Sequence, residues 1–327
     1  MEKVEKKEWI VVGGGPCGLS AAVELKKRGI DALVLEKGCV VNSIYGYPTF
    51  MQFFSTPELL ELGELPFITQ GDKASRHEAL KYYRAVVNHF DLDVHQYEKV
   101  AHIARKGETF VVSTEKRDEQ TAQYEAKHIV IATGYFDTPN LIGIPGENLE
   151  KVHHYFKDAH PYNKQKAVVI GGKNSAVEAA MELSKTGAEV TMVYRRESFT
   201  KSVKPWVRPV IDSVIEKGRI RMYWKAEVTE ITPTTVVIEQ DGERIEIEND
   251  VVFALTGYRP DTSMLEGLGV TVDRETGVPA HNPETMETNV PGVYIAGVIA
   301  AGFDANRIFI ENGRFHGHAI AKGAVLK

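Results

Sequence analysis

An unbroken apolar stretch, Trp9-Ile-Val-Val12, runs into Gly13-Gly-Gly-Pro-Cys-Gly18. From Leu19 to Arg28 apolar residues recur at helical spacing, and Gly29 supplies a helix stop. Ala32-Leu-Val-Leu-Glu36 follows as a short buried strand. The order strand, glycine turn, helix, strand predicts one βαβ unit. Asn42 to Phe67 is aromatic-rich and broken by Pro48, Pro57 and Pro66, which predicts an irregular covering segment. One short helix is expected there after Thr56-Pro57, a cap residue followed by a first-turn proline. Arg76 to Phe90 reads as an amphipathic helix, and Val100 to Thr114 and Ala122 to Ile131 as strands, closing in Ile131-Ala-Thr-Gly134.

The pattern then restarts. Lys166 to Ile170 is a strand, Gly171-Gly-Lys-Asn-Ser-Ala176 a turn, and Val177 to Thr186 a helix closed by Gly187. Glu189 to Tyr194 is the second strand. Val251 to Gly257 echoes the earlier Ala-Thr-Gly134 ending, and a strand from Gly292 to Ala296 precedes Gly297 and a closing helix from about Ala305 to Lys322. The expected fold class is α/β with two Rossmann-like dinucleotide-binding domains. The first is discontinuous, residues 1–138 and 262–327, and the second, 139–261, is inserted into it.

Composition narrows the functions. Lys and Arg number 39 against 45 Asp and Glu, a net charge of −6. Nucleic-acid proteins usually present a basic face instead, so no nucleic-acid partner is expected. The two cysteines, Cys17 and Cys39, are too few for a disulfide scaffold, and no Cys/His cluster has zinc-like spacing, so no metal is expected. The longest apolar run falls far short of the roughly 20 residues that span a membrane. The N-terminus mixes both charge signs and lacks the apolar core of a secretory signal. The expected setting is cytoplasmic.

The two glycine turns carry the chemistry. In the first, Gly13 permits a tight turn, Gly15 lets backbone approach a pyrophosphate, and Gly18 lets helix pack on strand. Pro16 and Cys17 complete the turn, whose helix N-terminus offers N–H groups and positive partial charge. Glu36 ends the next strand, placed to accept hydrogen bonds from a ribose, with Lys37 beside it. The second turn keeps Gly171, Gly172 and Ala176 but places Lys173 where the middle glycine would stand; Asn174 and Ser175 lie in it. Its strand ends in Arg195-Arg196 rather than an acidic residue. Paired arginines grip a 2′-phosphate, which favours NADPH over NADH. Two such domains imply FAD in the first and NADPH in the second, with hydride passing between them.

These pieces resemble the two-domain flavoprotein reductases of the thioredoxin reductase type. The likeness covers nearly the whole chain and includes Leu255-Thr-Gly-Tyr-Arg-Pro260 and Gly292-Val-Tyr-Ile-Ala-Gly297. It implies that Gly297, Thr133 and Gly134 border the flavin and that Val100 lends backbone to its adenine. Two departures stand out. Val298 follows Gly297 where the family has an aspartate, a role that Asp304 or backbone would have to fill. The stretch Val152 to Pro161 lacks the Cys-x-x-Cys of the dithiol relay. More narrowly, Gly13-Gly-Gly-Pro-Cys-Gly18, Gly171-Gly-Lys-Asn-Ser-Ala-Val-Glu178, His153-His-Tyr-Phe156 and Ile308 to His316 resemble the bacillithiol disulfide reductases. That resemblance implies an NADPH- and FAD-dependent homodimer acting on bacillithiol disulfide. The alternatives are a ferredoxin or flavodoxin reductase, a flavin monooxygenase of the same fold, and a non-enzymatic redox sensor that retains nucleotide.

Cys17 stands at a helix N-terminus, where the dipole favours thiolate. The resemblance gives it a redox role; the other reading is a small packing side chain. Asn42 is placed to hydrogen-bond the flavin. Tyr45, Tyr47, Phe53 and Phe54 are candidates to pack on its ring, and His153 and His154 read as surface histidines. Arg307 is a candidate to neutralise flavin or an acidic substrate. Hinges are expected near Thr138 and Asp261.

Overall fold

The computed structural model describes residues 4–304 and 306–325. The chain divides into two compact units. One is built from the residues up to Thr138 together with those from Tyr258 onward, the other from Pro139–Gly257.

The first unit opens with β1 (Glu5–Val12), α1 (Pro16–Lys26) and β2 (Ala32–Glu36). β1 and β2 pair in parallel, with Val12 opposite Leu35. Trp9–Val12 and Leu33–Glu36 are buried. Strands covered on both faces have no wet side to alternate with, so they read as apolar runs. Next come α2 (Asn42–Gly46), α3 (Arg76–His89), β3 (Asp93–Gln96), β4 (Glu98–Lys106), β5 (Thr109–Lys116) and β6 (Thr121–Ile131). A single 3-10 turn, Pro57–Leu60, begins after Thr56 as expected. A capping box starts α3: the Ser75 hydroxyl accepts from the Glu78 N–H, and the Glu78 carboxylate accepts from the Ser75 N–H.

The second unit holds β7 (Val152–His153), β8 (Lys166–Ile170), α4 (Asn174–Thr186), β9 (Glu189–Tyr194), α5 (Arg208–Glu216), β10 (Ile220–Trp224), β11 (Ala226–Ile231), β12 (Thr235–Gln240), β13 (Glu243–Glu248) and β14 (Val251–Ala254). A parallel five-stranded sheet runs β10-β9-β8-β14-β7, and an antiparallel β11-β12-β13 meander accompanies it. Gly187 ends α4 at φ +90°, the left-handed cap that glycine adopts without cost.

The chain then returns to the first unit with α6 (Ser263–Gly267), β15 (Val293–Ile295), α7 (Ile310–Gly313) and α8 (Phe315–Val325). Tyr258 packs its ring against Phe136 at 5.1 Å, and the Arg259 N–H donates to the Thr138 carbonyl. The sheet runs β3-β2-β1-β6-β5-β4. One edge of β6 is shared, pairing with β5 through Ala126 and with β15 from Ile129. β1, β2, β6 and β15 are parallel, so their C-terminal ends share one side. Open α/β sheets bind ligands at that side.

The expected closing helix from Ala305 is corrected. Ala305 lies outside the described residues, and two short helices replace one long one. The Asn312 side chain accepts from the Phe309 N–H at 2.7 Å and donates to the Arg307 carbonyl at 2.8 Å. This local side-chain bonding competes with helix and delays its start to Ile310.

Candidate functional site

The first glycine turn lies at the C-terminal ends of β1 and β6. Gly13 has φ +109°, and a Cβ there would press on the Ala132 carbonyl oxygen at 2.5 Å. A Cβ at Gly18 would run into the Gly13 carbonyl, so only glycine lets α1 come this close to the turn. Gly15 is different: a Cβ there would meet nothing within 4 Å. The space over the α1 N-terminus is therefore open, and no side chain caps that end. Open space over uncapped N–H groups fits a phosphate.

Glu36 is only 6% exposed. Its carboxylate accepts from the Gly14 N–H and from the Gly38 N–H, both at 2.7 Å. Burial raises its pKa, against those two bonds, which lower it. Each oxygen keeps a second lone pair for a ribose hydroxyl. Glu36 thus ties the glycine turn to the loop after β2 as well as marking the strand end. Lys37 pairs with Asp137 at 2.9 Å. Val41 is buried at φ +50°, a region that β-branched residues avoid, and its N–H donates to the Gly14 carbonyl at 2.9 Å. That strained residue launches α2 at Asn42, whose side-chain oxygen accepts weakly from the Cys39 thiol at 3.6 Å.

Cys17 is enclosed by glycines. A Cβ built on Gly297 would lie 3.0 Å from its sulfur, and one built on Gly313 would lie 2.9 Å away. The chain end after β15, the start of the last helices and the first turn therefore meet at this thiol. Its expected thiolate character is corrected: burial pushes the Cys17 thiol up to about 12. Cys17 is half-buried, and the packing around its sulfur opposes the thiolate that the helix dipole favours. Thr133 adjoins Gly13, while Gly134 follows at φ +72° with open space beside it. Val100 is buried in β4 at an irregularity between Val100 and His102.

The other aromatic candidates separate. Tyr47 packs edge-on against Phe136 at 5.0 Å, and burial raises its hydroxyl well above the usual tyrosine range. Phe53 is a buried core residue. Tyr45 and Phe54 are exposed, under the Arg76 guanidinium and the Lys73 ammonium respectively. Asp304 is taken by the Asn306 N–H. Arg307 lies in the turn before α7, its N–H donating to the Asp304 carbonyl.

In the second unit Gly171 has φ +139° and abuts the Leu255 carbonyl, and Gly172 lies against the Tyr194 ring. Lys173 precedes α4 without capping it, leaving the N–H groups of the Ser175 and Ala176 turn uncapped by side chains. Asn174 is committed elsewhere: it donates to the Ser202 carbonyl at 2.7 Å and accepts from the Lys204 N–H at 2.9 Å. It anchors the loop after β9, where Lys204 also pairs with Glu178 at 2.6 Å. Sequence reasoning missed this anchoring, which no local motif announces. Arg195 and Arg196 are exposed at the end of β9. His153 and His154 are corrected from surface to half-buried. His153 lies 5.5 Å from the Phe253 ring, and burial lowers its pKa.

Among the described residues no His, Cys, Asp and Glu group could hold a metal ion, and no helix is long and apolar enough to cross a membrane. The family model described as pyridine nucleotide-disulphide oxidoreductase matches residues 10–297. Bacilliredoxin reductase Bdr of Bacillus subtilis (strain 168) is 54% identical over 314 residues, 95% of each chain. The solved structure of bacillithiol disulfide reductase Bdr (YpdA) from Bacillus cereus is 52% identical with a TM-score of 0.97, covering 99% of this chain and 100% of that one. That of Staphylococcus aureus is 47% identical with a TM-score of 0.94, covering 99% of each.

Proposed function

This chain belongs to the pyridine nucleotide-disulphide oxidoreductase family and, within it, to the Bdr reductases; from that premise we propose that it uses NADPH and FAD to reduce bacillithiol disulfide to two bacillithiol molecules. FAD belongs to the first unit, a reading supported by open space at Gly15 and buried Glu36. NADPH belongs to the second, supported by exposed Arg195 and Arg196 at the strand end. Free Cys17 and Cys39 suit a reducing cytoplasm. Exposed Leu59, Ile68, Phe309 and Phe315 on the first unit support a homodimer.

The observation that carries the reading is a single cysteine, without a partner thiol in its motif, set in the dinucleotide turn. Cys39 follows β2 and turns its sulfur to Asn42. A small disulfide supplies its own second thiol. The Cys17 sulfur, once deprotonated, attacks one substrate sulfur. A Cys17–bacillithiol disulfide forms, and the departing bacillithiol takes up the proton. The hydride equivalent of NADPH and one further proton then cleave that bond, releasing the second bacillithiol and restoring the thiol. When bound, the flavin supplies the two-electron exchange. The chain's own part is to present backbone N–H groups at the α1 N-terminus and to set the Cys17 sulfur beside them.

Anaerobic NADPH oxidation tests this. With bacillithiol disulfide as sole acceptor, one NADPH should be consumed and two thiols should appear per disulfide. Consumption only with oxygen or ferredoxin would favour the monooxygenase or ferredoxin reductase alternatives.

A further inference from the structure

Gly297 takes φ +82° and ψ −155°, a region open essentially to glycine alone. Its carbonyl accepts from the Ala300 N–H at 3.1 Å. Its own N–H donates to Nδ1 of His316, nineteen residues away on α8, at 3.1 Å. The start of α8 is anchored on α1, the helix that bears Cys17. The neighbouring Arg314 carbonyl accepts from the Ser20 hydroxyl of α1, and Gly317 lies so close to Ser20 that a Cβ there would reach its backbone at 2.6 Å. One imidazole thus ties Gly297, which lies against the Cys17 sulfur, to the helix that packs on α1.

The hydrogen bond also sets the ring's chemistry. An Nδ1 that accepts carries no proton, so the proton is on Nε2. Burial lowers His316 to about 4, with His281 adding to the effect, so the acceptor form persists at neutral pH. His281 holds the complementary tautomer, its Nδ1 donating to the Pro279 carbonyl at 2.7 Å.

We propose that His316 is a positioning residue: its neutral Nδ1 fixes the Gly297 backbone in the glycine-only conformation that walls Cys17 and borders the flavin. The proposal rests on the reading that the first unit holds the flavin. Val298 offers no polar side chain to hold this turn, and Asp304 is turned to Asn306. The histidine therefore acts through Gly297 rather than by touching substrate.

The test compares flavin-loaded wild type with His316→Asn and His316→Leu. Asparagine places an acceptor close to where Nδ1 stands; leucine removes it and strands a buried donor. Flavin dissociation is followed by the fluorescence of released flavin, and the bound flavin's visible spectrum and the thermal midpoint are recorded alongside. The expected result is flavin binding weakened roughly tenfold or more in His316→Leu. His316→Asn should stay within about threefold of wild type with an unshifted spectrum. Equal binding in all three proteins, or equal loss in both variants, overturns the proposal. Should His316→Leu not fold, nitrogen NMR of the wild-type imidazole decides: Nε2–H with unprotonated Nδ1 supports the proposal, and Nδ1–H overturns it. A wild type that retains no flavin removes the underlying reading and the proposal with it, whereas a loaded wild type with an indifferent leucine variant removes the proposal alone.

Discussion

Replacing Gly313 by alanine probes the packing around Cys17. The new Cβ would stand 2.9 Å from the Cys17 sulfur and 3.0 Å from Cγ2 of Ile308. Overpacking of this kind costs about 1–3 kcal/mol. Glycine to alanine inside a helix favours folding by up to about 1 kcal/mol, and the gain is at its smallest in α7, a helix of four residues. The net expectation is a loss of about 1–2 kcal/mol. In a Cys17→Ala background the sulfur is gone and only the Ile308 methyl must move, so the same change becomes neutral or stabilising. Urea unfolding of the four proteins, followed by near-ultraviolet circular dichroism, yields the coupling. The account predicts coupling of about 1–2 kcal/mol, destabilisation appearing only where the sulfur is present. Additivity within about 0.5 kcal/mol would refute the claim that the Cys17 sulfur rests on Gly313.

The capping box of α3 makes a second prediction. Hydrogen bonds from Gln70 and Ser75 hold the Glu78 carboxyl at about 2. A lowered folded-state pKa stabilises above the unfolded value, near 4.3, and the benefit is lost as pH falls toward 2. Ser75→Ala should cost about 1 kcal/mol at pH 7 and somewhat less in strong acid, where the hydroxyl still caps the Glu78 N–H but no longer meets a carboxylate, read from urea midpoints; no cost at pH 7 would contradict the capping geometry. On the second unit, Arg195→Ala with Arg196→Ala should raise the KM for NADPH about tenfold or more while leaving that for NADH within about twofold. Equal effects on both nucleotides in steady-state assays would remove the 2′-phosphate role.

The two βαβ units were legible because their strands are buried on both faces. Ala32–Glu36, Lys166–Ile170 and Glu189–Tyr194 match their expected bounds for that reason. The α2 helix was not, since its five residues, Asn-Ser-Ile-Tyr-Gly, have little helix propensity and it is launched by the strained Val41. The β11–β13 meander was also passed over. β13, with Ile245 and Ile247 between charged residues, and the first half of β11 carry a period-two signal, but both are short and β12 reads as an apolar run. At the site, the glycine turns announced themselves by motif. His316 did not, because its partner Gly297 is distant in sequence and neither histidine of α8 carries a motif that sets it apart. The acidity of Cys17 reads differently for a related reason: the helix N-terminus is visible in the sequence, whereas the glycines that crowd the sulfur come from the far end of the chain.

The most direct test of the central claim is anaerobic reoxidation of the reduced flavin. The protein is reduced with NADPH, bacillithiol disulfide is added, and flavin absorbance is followed in wild type and in Cys17→Ser. The account predicts fast reoxidation in wild type that is lost in the variant. Equally fast reoxidation in both would leave Cys17 as packing alone, and no reoxidation until oxygen or ferredoxin is admitted would contradict disulfide reduction itself.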